Sequence, residues 1–527
     1  MAYLDPIETT LPLLRGKISL QDALTEDDDI ILRLSYPAKR LDFWLHLYRS
    51  RPQIVQIVSR HLNIPPSDFR LEEVKEWIHG SFNACIPITI LESTRHPRLP
   101  PRAIIRFPLP YRIGETFNPG NVDEKLRCEA ATYVWLQRNC PSIPVPRLLG
   151  FGFPGMQSFT ALASESFYHR MLWHLRRVTS WVSGSALAPY FSHRRQHLQD
   201  LGYLIVEYVD QGKMLSESWD QYRHDNNQRT NLFRDLSRMM LCLAKVPLPR
   251  IGSWTIDDRG LLALRNRPLT CLLHELENAQ IPTNMPRNLT YTSTEPYLLD
   301  LIACHDVRLR CQPNSIHDKS DGEAQLAGLT AMRALLTKFT DRRLREGPFV
   351  LSLTDLHQSN IFVDGDWHIT RVIDLEWACA RPIEMLSPPS WLSNRSLEEL
   401  GFHLEEYARL HEEFLDVFND EELTCSKSDS CSRLIENCWK TGAFWYLQAL
   451  DNPSALLAVF IDHIQPLFAK LSTAAVKEFN RVLTPYWDRD TSQFISSKVV
   501  EQDQYSDRVR EIFATAALCD KHDEDDQ

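Results

Sequence analysis

Residues 351–377 read LSLTDLHQSNIFVDGDWHITRVIDLEW, and the spacing of three oxygen-bearing side chains in this stretch decides how the rest of the chain is read. Asp355 is followed five positions later by Asn360, and Asp374 closes a run patterned as a β-hairpin. The apolar residues on either side of Asp364-Gly365-Asp366 predict two strands, because Asp-Gly is a strong turn signal. With Gly365 and Asp366 at the turn, Asn360 falls opposite Arg371, and Asp374 lies about 10 Å further along by strand rise. The chain leaving the second strand must then curl back for Asn360 and Asp374 to share a cation. Asp355 sits on the loop before the first strand, at the same end of the hairpin. Two carboxylates and an amide oxygen suit Mg2+, a hard ion that prefers oxygen and is held by one or two carboxylates plus substrate phosphates. Phosphoryl transfer asks for these parts: an Asp near the acceptor hydroxyl, an Asn and an Asp on the metal, and cations on the other phosphate oxygens. An isolated Asp or Asn more often caps a turn, so the joint spacing carries the reading.

The totals bound the alternatives. A chain of 527 residues with 43% hydrophobic and 10% aromatic residues supports about two to four domains around a large core. A net charge of −11 argues against nucleic-acid binding as its main activity. The N-terminal MAYLDPIETTLPLLRGK carries acids early and lacks the basic-then-apolar layout of a signal peptide. No apolar stretch approaches the ~20 residues of a membrane span. The twelve cysteines include no C-x-x-C pair, and Cys425, Cys431 and Cys438 match no zinc spacing. Reduced thiols in a cytoplasmic protein are expected.

Residues 1–65 are expected to form a helical extension. Strand-like runs follow at 84–93 and 101–110, then a helix at 123–139 that Asp123 can cap. The run IPVPRLLGFGF (143–153) carries two prolines and is expected at a sheet edge. Its GFGFPG matches G-x-G-x-x-G, yet the crowding prolines exclude a dinucleotide-binding turn. Residues 154–200 are expected as a helical insertion around FYHRMLWHLRRVTSWV (167–182). There Tyr168, Met171, Leu172, Leu175, Val178 and Val182 make one apolar stripe, and Arg170, Arg176 and Arg177 lie off it. Such a helix can lie on a membrane or cover a cleft; the commoner arrangement, an apolar face packed on its own domain, is the one expected. Helices are predicted at 230–246, 325–340, 397–418 and 435–473, with a surface loop at 311–325 and an acidic, partly disordered tail from 487 to 527. The predicted architecture is α+β and bilobal. A small antiparallel-sheet lobe with one helix (66–210) precedes a larger, mainly helical lobe (211–486) that carries the hairpin of 351–377.

LTDLHQSNIFVD…VIDLEW resembles the catalytic segment of the aminoglycoside phosphotransferase family, within the protein-kinase-like fold and especially its fungal members. NVDEKLRCEAATYVWL, IPVPRLLGFG, LIVEYV, IGSW…NRPL and CARPIEMLSPPSWL are similar to further family segments. The resemblance implies an ATP- and Mg2+-dependent kinase acting on a hydroxyl group of a small molecule. Asp355 is then the catalytic base or positioner, and Asn360 and Asp374 bind Mg2+. Arg106 takes the place of the strand lysine on the ATP phosphates, and Glu129 is the helix glutamate that holds it. The backbone C=O of Glu207 and N–H of Val209 face adenine, and Gly80 and Ser81 belong to the loop over the phosphates. Glu376 can assist at the metal or serve a structural role. The acceptor is expected between Asp355 and the helical lobe, with RPIEMLSPPSWL in its wall.

Two positions depart from the family pattern. Leu353 stands where the family carries a scaffold histidine two residues before the catalytic Asp, and Arg106 replaces lysine. A planar guanidinium fork is not a point charge, so the second exchange is not conservative. These departures motivate an alternative, a catalytically impaired pseudokinase that binds nucleotide or a partner.

Overall fold

Proline and polar turns cut residues 66–210 into short β-branched runs, and each run becomes a strand of one sheet. The computed structural model describes residues 10–91, 99–182, 186–426 and 430–525. The expectations for residues 1–9, for the end of the run 84–93 and for residues 526–527 lie outside them.

Helix α1 (Arg51–Leu62) precedes strands β1 (Phe69–Leu71), β2 (Ile78–His79), β3 (Asn83–Ile90) and β4 (Arg102–Pro108). Helix α2 (Asn121–Asn139), β5 (Leu148–Gly152), β6 (Gln157–Ala161), α3 (Phe167–Val182), β7 (Tyr190–Arg194) and β8 (Tyr203–Glu207) complete the smaller lobe. The antiparallel sheet runs β7-β6-β5-β8-β4-β3-β1, with β2 paired to β3. Strand alternation decides what each face buries. On β4, Ala103, Ile105 and Phe107 join Ile54, Val58 and Leu62 of α1 in one apolar cluster. Ile104 and Arg106 point to the opposite face, under α2. That helix buries 14 of its 19 residues because it lies between the sheet and the strand Ser253–Ile256 of the larger lobe.

The larger lobe contains α4 (Asn226–Ala244), α5 (Cys271–Asn278), α6 (Thr294–Cys311) and α7 (Lys319–Leu335). Strands β9 (Phe349–Leu353), β10 (Ile361–Val363), β11 (Ile369–Val372) and β12 (Ala378–Pro382) come next, followed by α8 (Leu404–Ser426) and α9 (Thr491–Asp525). Apolar packing is continuous from Phe82 and α2 to Ile495, so the two lobes share a core. Among the described residues no helix is long and apolar enough to cross a membrane.

Several local expectations are corrected. Helix α2 starts at Asn121, and its free N–H groups are met by Glu115, whose carboxylate accepts from Gly120 (2.8 Å) and Val122 (2.6 Å). Asp123 pairs with Arg127 at 2.7 Å instead of capping. Strand β5 lies inside the sheet, because it begins at Leu148, beyond Pro144 and Pro146, and neither proline removes a ladder donor. Its glycines make room for neighbours: a Cβ on Gly150 would lie 2.3 Å from the His61 ring, and one on Gly152 2.7 Å from Tyr203. Residues 154–200 supply two strands of the sheet around α3, with 183–185 outside the described residues.

The predicted loop 311–325 is shorter, and its buried Asn314 donates to the carbonyls of Glu26 (3.1 Å) and Asp28 (3.0 Å). The predicted long helix 435–473 is broken after Thr441 by Gly442, which takes φ 78°. The expected tail is helix α9: Tyr505, Val509 and Phe513 pack on Ile18, Ala23 and Ile30, and the Tyr505 hydroxyl accepts from the Ile30 N–H at 2.7 Å.

A buried ion network joins the lobes. Arg267 is 2% exposed and donates to Glu124 of α2 (2.8 and 2.9 Å) and to Glu277 of α5 (2.5 and 3.0 Å). Removing this cation leaves two buried carboxylates facing each other, of which Glu124 keeps the partly exposed Arg287 at 3.1 Å. Arg267→Met is expected to cost about 3–5 kcal/mol of stability, read as a large fall in thermal midpoint; an unchanged midpoint would contradict this account of the joint.

Candidate active site

The hairpin places Asn360 and Asp374 closer together than the turn signal implies. Ile361 pairs with Val372 and Phe362 with Arg371, and the Ile373 N–H donates to the Asn360 carbonyl at 3.0 Å. Asn360 therefore lies opposite Ile373 rather than Arg371, and Asp374 is the next residue. The cause is a longer turn. The Asp364 carboxylate accepts from the N–H of Asp366 (3.0 Å) and of His368 (2.9 Å). Trp367 adopts φ 64° and stacks its buried ring on Trp219, with centroids 5.3 Å apart. Asp374 itself sits at φ 57°, a left-handed conformation that Asp tolerates better than most residues and that turns its carboxylate out of the strand line.

Asp355 follows β9, whose ladder with β12 runs from Phe349↔Pro382 to Leu353↔Ala378. Leu353 is thus held by backbone pairing. The adjacent Thr354 hydroxyl donates to the Trp377 carbonyl at 2.5 Å, tying this loop to the segment after Asp374. The Asn360 amide nitrogen donates to the Asp355 carbonyl at 2.9 Å, which leaves the amide oxygen as its ligand atom. His357, which the sequence reading passed over, brings Nε2 to 3.7 Å from the Asp355 carboxylate. Burial, with the negative charges of Glu376 and Asp374 nearby, pushes the Asp355 carboxyl up to about 7.

Arg106 and Glu129 meet as the family pattern implies, with Nη1 at 3.0 Å from Oε1. The other guanidinium arm contacts Asp374 and, at 3.1 Å, Glu376. Lys125 of α2 completes the cluster: its fully buried Nζ lies 2.8 Å from Glu376 and 2.9 Å from the Asn83 oxygen. Asn83 also donates to Glu376 at 2.9 Å. Lys125 was not singled out from sequence, though it stands four residues before Glu129 on one helix face. Burial pushes the Glu129 carboxyl up to about 7, and it raises Asp374 as well. At Glu376 burial opposes the charge too, but Lys125 and Arg106 outweigh it and hold the carboxyl below its ordinary value.

Gly80 and Ser81 form the turn between β2 and β3. The Gly80 N–H donates to the Asn83 carbonyl (2.9 Å), and the Ser81 carbonyl accepts from Arg112 (3.0 Å). This turn drops Phe82 onto Trp377, edge to face at 5.3 Å, and Asn83 onto Glu376. Glu207 ends β8 with its carboxylate 3.2 Å from Arg147, and Val209 lies on the connection toward the larger lobe.

A cavity of about 830 Å³ opens beside Asp355. The segment from Arg381 to Trp391 lines one side, as the sequence reading expects, and Glu275 of α5 another. The N-terminal extension supplies a third wall with Arg33 and Tyr36, which no sequence signal indicated. Glu275 faces the cavity while protein encloses its base; burial raises its carboxyl against the pull of Arg112.

Asp355 has a consequence for stability. The folded chain keeps its proton up to about 7, whereas an unfolded chain releases it near 4. Between those values folding takes up a proton, so stability falls as pH rises through the window. Without metal or nucleotide, in EDTA, Asp355→Asn should be more stable than the parent by roughly 2 kcal/mol at about pH 8, with the gap closing toward about pH 4. Thermal melting across that range checks this, and equal midpoints at the alkaline end would contradict it.

A search of curated protein sequences finds no match to this chain. Among solved structures, one similar chain is a thermostable mutant of the aminoglycoside phosphotransferase APH(4)-Ia in ternary complex with AMP-PNP and hygromycin B. It shows 12% identity and a TM-score of 0.35, with 79% of this chain and 94% of that chain covered. Another is a macrolide 2'-phosphotransferase type I, at 13% identity and a TM-score of 0.30, with 80% and 98% covered. The family model of APH, the phosphotransferase enzyme family, matches residues 95–385. That span is more than half of the chain and includes Arg106, Glu129 and the whole of the hairpin with Asp355, Asn360 and Asp374: this chain belongs to the APH phosphotransferase enzyme family.

Proposed function

We propose that this protein is an ATP- and Mg2+-dependent kinase that phosphorylates a hydroxyl group of a small molecule, a reading that fits a cytoplasmic protein. The observation that carries it is Arg106 in contact with Asp374, the residue after Asn360's hairpin partner, with Asn360 bonded to the Asp355 carbonyl and Asp355 on the wall of a cavity large enough for a drug-sized acceptor. The donor set fits Mg2+. It consists of hard oxygens, and its carboxyls outnumber its cations, so that burial drives Asp355 and Glu129 toward neutrality. Asn360 and Asp374 would hold the ion together with nucleotide phosphates, and the bound ion supplies charge neutralisation for the transferred phosphoryl group.

The chain's own residues then divide the work. Asp355 orients the acceptor hydroxyl and accepts its proton. Arg106 exchanges its contact with Asp374 for the phosphate oxygens while Glu129 keeps the other arm in place. Lys125 neutralises Glu376 and fixes the floor beneath Asp374. The turn at Gly80 and Ser81 covers the phosphates, and the Glu207 C=O and Val209 N–H take adenine. The cavity receives the acceptor, with Glu275 and the segment 381–391 as its walls.

Purified protein incubated with ATP, Mg2+ and a metabolite mixture should convert one component to a product heavier by a single phosphate. Asp355→Ala is expected to lower that turnover by about 10²–10⁴-fold while folding normally; unchanged turnover would rule out its role.

A second reading, a catalytically impaired pseudokinase, is favoured by Leu353 and by Arg106 engaged with Asp374. Thermal shift separates the two. Stabilisation by ATP and Mg2+ without phosphorylation of any acceptor in a broad library would select the pseudokinase.

A further inference from the structure

We propose that α3 is a surface-docking helix that seats this protein on an anionic lipid bilayer. Amphipathic helices of globular proteins turn the apolar stripe inward; α3 turns it outward. Phe167, Leu175, Trp181 and Val182 are 81%, 61%, 79% and 76% exposed, and Tyr168, Met171 and Val178 are exposed along the same stripe. At 3.6 residues per turn these seven positions occupy less than half of the helix circumference. The opposite face is the one that packs. Trp173 is buried and donates its indole N–H to the Ala188 carbonyl at 2.8 Å. His169 stacks on Phe191 with centroids 4.3 Å apart and contacts Glu165 at 2.7 Å, and Glu165 meets His193 at 2.6 Å. The helix is therefore fixed to β7 by its minor face, with its apolar face in water.

Charge selects the occupant. Residues 166–199 contain five arginines and no Asp or Glu, inside a chain of net charge −11. Arg170 and Arg177 flank one side of the stripe and Arg176 the other. The Arg176 and Arg177 guanidinium groups lie 5.6 Å and 5.5 Å from the rings of Phe191 and Trp173, on the inward side of the helix. When the stripe enters the acyl boundary, these groups reach headgroup phosphates, the arrangement of interfacial helices. Phe167, Tyr168 and Trp181 stand at the two ends of the helix, and the ring types of Tyr and Trp favour the membrane interface. A protein partner of matching acidity would also be attracted, but a single convex helix offers no groove to grip one, whereas a fluid bilayer conforms to it.

The test is co-sedimentation of the full chain with phosphatidylcholine vesicles containing phosphatidylserine, against pure phosphatidylcholine vesicles. The parent should bind the anionic vesicles and only weakly the neutral ones. Phe167→Ser/Trp181→Ser should bind about 100-fold more weakly, and Arg170→Gln/Arg177→Gln about tenfold more weakly with the salt dependence reduced. Phe167, Trp181, Arg170 and Arg177 are all exposed residues, Arg177 touching α3 through the Trp173 ring, and unchanged thermal midpoints verify that both variants fold. No binding by the parent, or equal binding by both variants, would overturn the proposal. So would a parent dimer in sedimentation velocity that Phe167→Ser/Trp181→Ser dissociates, because the face would then be covered by a second copy.

Discussion

Arg106 is the contact through which three separate elements of the chain meet. Its strand belongs to the smaller sheet, Glu129 to the helix beneath that sheet, and Asp374 and Glu376 to the chain leaving the hairpin of the larger lobe. Taking such charges out of water costs several kcal/mol per ion, and mutual attraction repays it only with good geometry and further hydrogen bonds. Here Lys125 and Asn83 provide those bonds to Glu376. Even so, the three carboxylates of the cluster exceed its two cations, and Asp355 adds a fourth acid nearby. A buried surplus of negative charge is a poor device for stability alone. It is a good one for receiving a divalent ion, which is why the proposed chemistry and the electrostatics point the same way.

The remaining architecture keeps this meeting point rigid. A shared apolar core crosses from α2 into the larger lobe, and Arg267 clamps the same helix to α5 through two more carboxylates. The cavity beside Asp355 draws its walls from distant parts of the chain, including the N-terminal extension, which α9 holds through Tyr505. The N-terminal extension is therefore part of the cavity wall rather than an appendage.

Much of this was legible in the residues. The spacing of Asp355, Asn360 and Asp374 was visible, as were the two unlike lobes and the strands β3 and β4. Register was not. The Asp-Gly signal indicated a two-residue turn, and the wider turn follows from Trp367 burying its ring on Trp219, a tertiary contact that no local rule supplies. Lys125 was hidden because a lysine on a helix is ordinarily solvated. Only the approach of Asn83 and Glu376 from two other elements makes its burial tolerable. The interior place of β5 was missed because the prolines that suggested an edge lie just outside the strand. The α3 stripe exists, but the expectation that it packs on its own domain fails: its apolar residues are exposed because Glu165, His193 and Phe191 capture the opposite side.

The central claim is that Asn360 and Asp374 share one divalent ion facing Arg106. Crystals grown with Mn2+ and AMP-PNP test it most directly. Anomalous scattering should place manganese against the Asn360 amide oxygen and the Asp374 carboxylate, with Arg106 turned from Asp374 to the phosphates. Manganese bound elsewhere, or nucleotide present with Arg106 still paired to Asp374, would contradict the account.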